Sequence, residues 1–221
     1  MVIGVGPIRK GKTFTKNTLA THTLKYGGLY RALDIDPGSE PIAGLFGEDG
    51  GIMRAAKDDQ SGANLFFSAR GQDDVSFKIH LIEVLKLMLE ANDTESQRQI
   101  DDHEQKGLDE AIDATLALPK ELQTMSALVA HMPPTLQTKF ARWIRESPKN
   151  RGSGAGWFAH VFDNQNDAIG HLTKRVGVFN LQNVKDQLRL LRPIQADILY
   201  RITQAFRRSR HPSFAQNSGH R

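Results

Sequence analysis

The chain has 221 residues, 39% of them hydrophobic and 24% charged, an ordinary globular balance with enough apolar mass to bury a core. It contains no cysteine, which excludes a disulfide scaffold, a cysteine zinc site and a cysteine nucleophile. No apolar run is long enough for a membrane-spanning helix, and the first residues lack the basic region of a signal peptide. The net charge of +4 arises unevenly: residues 201–221 hold five basic residues and no acidic one, leaving 24 basic against 25 acidic elsewhere, which gives little ground for a nucleic-acid surface.

Residues 1–5 are short, apolar and β-branched and read as a buried strand. A glycine-bounded loop follows over 6–13, and 13–26 read as a helix stopped by Gly27-Gly28. Residues 29–35 return to strand, Asp36-Pro37-Gly38-Ser39 form a turn, and Pro41 favours a short helix after it. Strand, loop, helix and strand in this order open a parallel α/β sheet. Two further short strands are expected at 51–56 and 63–68. From 75 to 92 the apolar residues at 75, 79, 82, 85, 88 and 89 keep a helical period. Nine acidic residues against two basic ones between 90 and 113 suggest a solvated helix face. Helices are also predicted over 120–131 and 135–146, parted by Met132-Pro133-Pro134. Residues 148–156 form a flexible connector, 157–162 and 176–179 read as strands, and 183–208 read as a long helix interrupted near Pro193. The last residues, 209–221, have no apolar period and are expected to be disordered.

Gly6-Pro7-Ile8-Arg9-Lys10-Gly11-Lys12-Thr13 satisfies the spacing G-x-x-x-x-G-K-[ST] between a predicted strand and a predicted helix. In such a loop the backbone N–H groups, here from Gly6 to Phe14, wrap the β-phosphate, and the helix adds the positive end of its dipole. Lys12 would reach the β- and γ-phosphates, and the Thr13 hydroxyl would join the Mg²⁺ shell. Arg9 and Lys10 stand where small residues are usual; a bulky residue at positive φ is strained, so reduced affinity is expected.

Asp34-Ile35-Asp36-Pro37 ends the second strand on the same sheet edge as this loop. Asp34 and Asp36 point to the same side of the strand, so at least one should face the site, where a carboxylate could contact Mg²⁺ through water or orient the attacking water; otherwise Asp36 simply caps the next helix. A hydrolysing loop of this kind also needs an apolar strand ending in Asp-Glu. Leu108-Asp109-Glu110 has the letters in a polar helical context; 158–163 is the one plausible strand ending in Asp, and Asn164 follows it. The eight histidines show no metal-ligand spacing. Trp143 and Trp157 read as core, and the Arg207-Arg208-Ser209-Arg210 cluster reads as solvated tail.

The ordered motifs resemble the large cytoplasmic P-loop ATPase of type IV secretion and conjugal transfer systems. The segment MVIGVGPIRKGKT matches that family's phosphate loop except at Ile8, Arg9 and Lys10. ALDIDPGSEPIAGLFG matches its "F-D-K-D-x-G-S-E" strand at Asp34, Asp36, Gly38, Ser39 and Glu40, with Pro37 departing. Residues 62–68 resemble its "T-G-x-N-P-F" stretch. Gly156-Trp157-Phe158, with Phe162-Asp163-Asn164 and Asp167, resembles its "F-D-N-x-x-D" element. Residues 178–202 resemble its "P-I-L-x-Y-L-x-x-R-I" segment. The resemblance extends over about 1–207 in collinear order. It implies a partial RecA-like α/β sheet with an all-helical insertion: 1–74 the first half of the P-loop core, 75–147 the insertion, 148–208 the return to the core, and 209–221 a basic tail. It further implies ATP and Mg²⁺ as ligands, a hexameric ring, other secretion-system subunits as partners, and a cytoplasmic place at the inner membrane reached through them, with DNA as a further candidate partner. Lys12 and Asp36 would be the catalytic groups, and the chain would be an internal fragment ending before the Asp-Glu strand, its tail read from another frame. Two alternatives stand beside it. A plasmid-partition ATPase is suggested by LDIDPGS, although Pro7 occupies the place of that family's signature lysine. A non-catalytic or vestigial nucleotide-binding protein would act through interaction alone.

Overall fold

The computed structural model describes residues 11–36, 38–55, 62–145, 156–167, 169 and 174–209. The strand expected at 1–5, the loop residues Gly6, Pro7, Ile8, Arg9 and Lys10, most of the connector and the tail beyond 209 lie outside them. The fold is mixed α/β, and the chain divides into two compact units. Unit 1 gathers Met1–Ala55, Gly170–Asn183 and Arg201–Arg221; unit 2 gathers Ala56–Ile169 and Val184–Tyr200.

Unit 1 contains a three-stranded parallel sheet in the order β1-β3-β2, with β1 at Tyr30–Asp34, β2 at Gly50–Arg54 and β3 at Val176–Asn180. Tyr30 and Gly50 lie opposite Val176, and Asp34 and Arg54 lie opposite Asn180, so all three strands end level. Every residue of β3 is buried, as a middle strand of a parallel sheet requires. Helix α1 (Lys12–Lys25) covers one face. It stops where the sequence places the stop: Gly27 N–H donates to Leu24 O at 3.0 Å and Gly28 N–H to Thr23 O at 3.1 Å, a Schellman closure. Helix α2 (Glu40–Leu45) carries Pro41 in its first turn. The core joins Ala20 and Leu24 of α1, Ile42 and Ala43 of α2, and Ala32, Val176 and Val178 of the sheet. Only two apolar side chains of α1 are buried, so polar ties must hold its first half.

Unit 2 is helical: α3 (Val75–Leu89), α4 (Glu95–Arg98), α5 (Asp102–Leu116), α6 (Met125–His131), α7 (Pro134–Phe140) and α8 (Ala159–Phe162), joined by residues 188–200 of α9 (Leu188–Ser209). The starts are capped as the sequence chemistry dictates. Asp74 accepts from Phe77 N–H, Thr124 from Ala127 N–H, and Asp101 and Glu104 form a reciprocal capping box.

Several expectations are corrected in unit 2. Residues 63–68 are not a strand: Asn64 Oδ1 takes the Phe66 N–H at 2.8 Å, which closes a local turn and starts the 3-10 helix Leu65–Ser68. Residues 157–162 are not a strand either. Phe158 and Phe162, four apart, both meet Trp143, with ring centroids at 4.9 and 5.9 Å, and helical spacing is what presents both rings to it. The buried stripe of α3 is Phe77, His80, Leu81, Val84, Leu85, Met88 and Leu89, whereas Val75 and Ile79 are exposed. A helix apolar on more than one face offers two candidate stripes, and packing selects one. Trp143 is core, but Trp157 is 86% exposed. The acidic residues of 90–113 are exposed except Glu104, which is buried against Lys139 at 2.5 Å.

Candidate functional site

The carboxyl ends of β1, β3 and β2 place Asp34, Asn180 and Arg54 in a row. Ligands of parallel sheets bind at this edge, where loops leave the strands. The turn between β1 and α2 is built around the buried Asp34 carboxylate. It accepts the Ser39 N–H at 2.6 Å, the Ser39 hydroxyl at 3.1 Å and the Lys16 ammonium at 3.3 Å. The Ser39 hydroxyl also accepts from Lys16 Nζ at 2.6 Å and Tyr30 Oη at 3.2 Å. One donated and two accepted hydrogen bonds saturate it.

The same turn holds the start of α1. Asn17 Nδ2 donates to Gly38 O at 3.1 Å, one residue along from the Lys16 contacts. Gly38 faces Thr13 closely: a Cβ on Gly38 would sit 3.1 Å from the Thr13 methyl. A side chain at 38 would require the Thr13 methyl to give by a few tenths of an ångström. At that start Gly11 has φ 77°, a left-handed conformation that other L-residues adopt at a cost. Gly11 brings no side-chain cap, and no acidic residue stands in the first turn. Among the described residues no side chain caps the leading N–H groups of α1, which lie at the positive end of the helix dipole.

The predicted site residues fall as follows. Gly11, Lys12, Thr13 and Phe14 open α1; Thr13 and Phe14 are exposed, Phe14 by 76%. Asp36 is exposed in the adjoining turn, where its carbonyl accepts the Gly38 N–H at 2.6 Å. Thr13 and the 34–39 turn thus come together. Gly6, Pro7, Ile8, Arg9 and Lys10 lie outside the described residues.

Asp163, considered as a strand-ending aspartate, stands in unit 2 at the end of α8. Its carboxylate accepts from the Ser126 hydroxyl at 2.5 Å and from the N–H groups of Ser126 and Arg145 at 2.8 and 2.7 Å. Asn164 donates to the carbonyls of Ala63 and His160, and Asp167 accepts the Asn64 N–H at 2.9 Å. The F-D-N-x-x-D element therefore knits four chain segments together. Asp109 is exposed on α5, which agrees with setting it aside.

Sequence reasoning passed over Lys16, Asn17, Arg54 and Asn180. Glu40, at the start of α2, accepts from Arg54 Nε at 3.0 Å and Arg54 Nη2 at 2.8 Å, and from Asn180 Nδ2 at 2.7 Å. The Arg54 hydrogen bonds, then that of Asn180, hold its carboxyl below the ordinary value against the opposing effect of burial. No local signal marks these residues, because their partners are distant in sequence. A separate groove of about 490 Å³ runs along α1, lined by Thr18, Thr21, His22, Lys25 and Phe46.

No model of a known protein family and no curated protein matches this chain. Among the described residues no three His, Asp or Glu side chains gather to hold a metal ion, and no helix is long and apolar enough to cross a membrane. A magnesium ion carried on a phosphate would take hard oxygen donors at the edge. Thr13 and Asp36 offer hard oxygen donors, and an ion that keeps most of its waters needs only one or two from the protein. The oxygens of Asp34 are already taken by Ser39 and Lys16.

Proposed function

We propose that unit 1 is a P-loop module of RecA-like type that binds Mg²⁺·ATP and hydrolyses it slowly. The observation that carries this reading is the packing of Thr13 against Gly38. It sets an uncapped helix start, preceded by a left-handed glycine, beside an aspartate-bearing turn at the carboxyl edge of a parallel sheet. The G-x-x-x-x-G-K-T spacing of residues 6–13 supplies the phosphate chemistry. In this reading the backbone from Gly6 to Phe14 cradles the phosphates and Lys12 neutralises their charge. The Thr13 hydroxyl ligates Mg²⁺, and Asp36 reaches the ion through water.

The ordered motifs support an ATPase of the kind that energises type IV secretion and conjugative DNA transfer. Such a module would act in a ring of its own copies, docked by partner subunits at the inner membrane. A nucleotide-binding protein without turnover is the second reading, favoured by β3 ending in Asn180 and by the structural employment of Asp163.

The test is equilibrium binding of a fluorescent ATP analogue with Mg²⁺ to wild type and Lys12→Ala, with ATP turnover followed in parallel. Binding that depends on Lys12 supports the phosphate loop, and turnover separates the two readings. No binding by the folded wild type refutes both.

A further inference from the structure

We propose that the groove along the C-terminal half of α1 binds a small aromatic carboxylate, a ligand separate from any nucleotide. The five residues that line it are described and belong to unit 1: Thr18, Thr21, His22 and Lys25 of α1, and Phe46 after α2. The four from α1 stand at i, i+3, i+4 and i+7, on one face of the helix. Ala20 and Leu24 enter the core from another face. Phe46 packs partly on the same core and supplies the wall that α1 does not. Threonines stand where a packed stripe would carry larger side chains, and they leave a volume of about 490 Å³, within the range of small-molecule pockets.

The chemistry of the lining selects the ligand. The Thr18 hydroxyl donates to Phe14 O at 3.0 Å and the Thr21 hydroxyl to Asn17 O at 2.8 Å. Both spend their protons on their own helix, and the surface left to the groove is almost wholly carbon. A flat apolar body therefore finds the Phe46 ring and the threonine methyls. The charge beside it has one sign. Helix α1 carries Lys12, Lys16, His22 and Lys25 and no acidic residue, and among the described residues the lining holds no carboxylate. Lys16 is bound to Asp34 and Ser39. No hydrogen bond or ion pair holds His22 or Lys25 among the described residues. Uncompensated cations on the wall of an apolar groove complement a single anionic group on an apolar body, and a carboxylate carried on about two fused rings meets both demands at this volume.

The experiment uses the full chain and the dye anilinonaphthalene sulfonate, an aromatic anion that brightens in apolar surroundings. Displacement of the bound dye is followed with naphthoate and with its neutral amide. The proteins are wild type, Lys25→Gln, Thr21→Phe and, as a control for general charge, Lys106→Gln on the exposed side of α5. Circular dichroism checks that each is folded. Lys25→Gln should weaken naphthoate about fivefold and the amide by less than about twofold. Thr21→Phe fills the groove and should weaken both about tenfold. Lys106→Gln should change neither, and Mg²⁺·ATP should leave the dye in place. The inference is overturned if folded wild type binds no naphthoate, or if Lys106→Gln costs as much as Lys25→Gln. It is also overturned if Thr21→Phe binds as wild type does, with Thr18→Phe taking its place should Thr21→Phe not fold. Displacement of the dye by Mg²⁺·ATP would overturn it as well, because the dye would then report the nucleotide site, and the ATPase reading would stand without it.

Discussion

Replacing Lys139 by methionine removes the cation from a buried pair while keeping most of its volume. The Lys139 ammonium lies 2.5 Å from Glu104 Oε2 and also donates to Gln99 O at 2.8 Å; the two side chains are 14% and 7% exposed. Stranding one member of such a pair costs about 3–5 kcal/mol. Glu104 keeps the Asp101 N–H at 3.3 Å and the Thr135 side chain, so a loss of about 2–3 kcal/mol is expected at pH 7. The pH dependence is the sharper test. Burial pushes the Glu104 carboxyl up, but hydrogen bonds from Lys139, Thr135 and the Asp101 backbone, with the Lys139 charge, outweigh it and hold the group below its ordinary 4.5. In the wild type its stabilising contribution is complete above that value and is lost as pH falls through the lower, folded one. In Lys139→Met burial persists without its main opponent, so the folded value rises from its wild-type position. The variant should then recover stability relative to wild type as pH drops from 7 toward 4. Urea unfolding read by the fluorescence of Trp143, which is wholly buried in unit 2, measures this. Curves for the two proteins that shift in parallel across the range would refute the reasoning, as would a loss at pH 7 under about 0.5 kcal/mol.

Asp34→Asn keeps one acceptor for the Ser39 N–H but turns a donor toward Lys16, so the clasp between α1 and the β1–α2 turn should weaken by about 2 kcal/mol. Hydrogen exchange over 12–39 would speed, and unchanged exchange would contradict the clasp. Asp163→Asn disturbs three accepted bonds on a buried carboxylate and should cost about 2–4 kcal/mol in unit 2, read by the same tryptophan fluorescence. Lys12→Ala should abolish binding of the ATP analogue without moving the urea midpoint.

The elements legible in the sequence are those whose ends carry their own chemistry. Gly27-Gly28 closes α1, Pro41 opens α2, and β1 and β3 lie within a residue of their expected limits. Short apolar runs were opaque. Residues 63–68 and 157–162 suit strand or helix equally by composition, and the choice was made by Asn64 turning onto its own backbone and by Trp143 gathering two rings. The candidate site was half visible: the glycines, Thr13, Asp34 and Asp36 announce themselves by motif. Lys16, Arg54 and Asn180 acquire meaning only from partners 14 to 140 residues away.

The sheet of unit 1 also sets an order of events during synthesis. Among the described residues β1 and β2 do not pair with each other; each pairs with β3, which leaves the ribosome last of the three. At ordinary elongation rates the interval between Arg54 and Val176 is on the order of ten seconds. Through that time two apolar strands wait with open edges while the helices of unit 2 emerge between them. Helices α3 to α8 can gather from near neighbours as they appear, whereas the sheet must wait for a long-range closure. The nascent chain thus spends its most exposed period with the carboxyl edge of the sheet unmade, when a chaperone that shields strands would have the most to do.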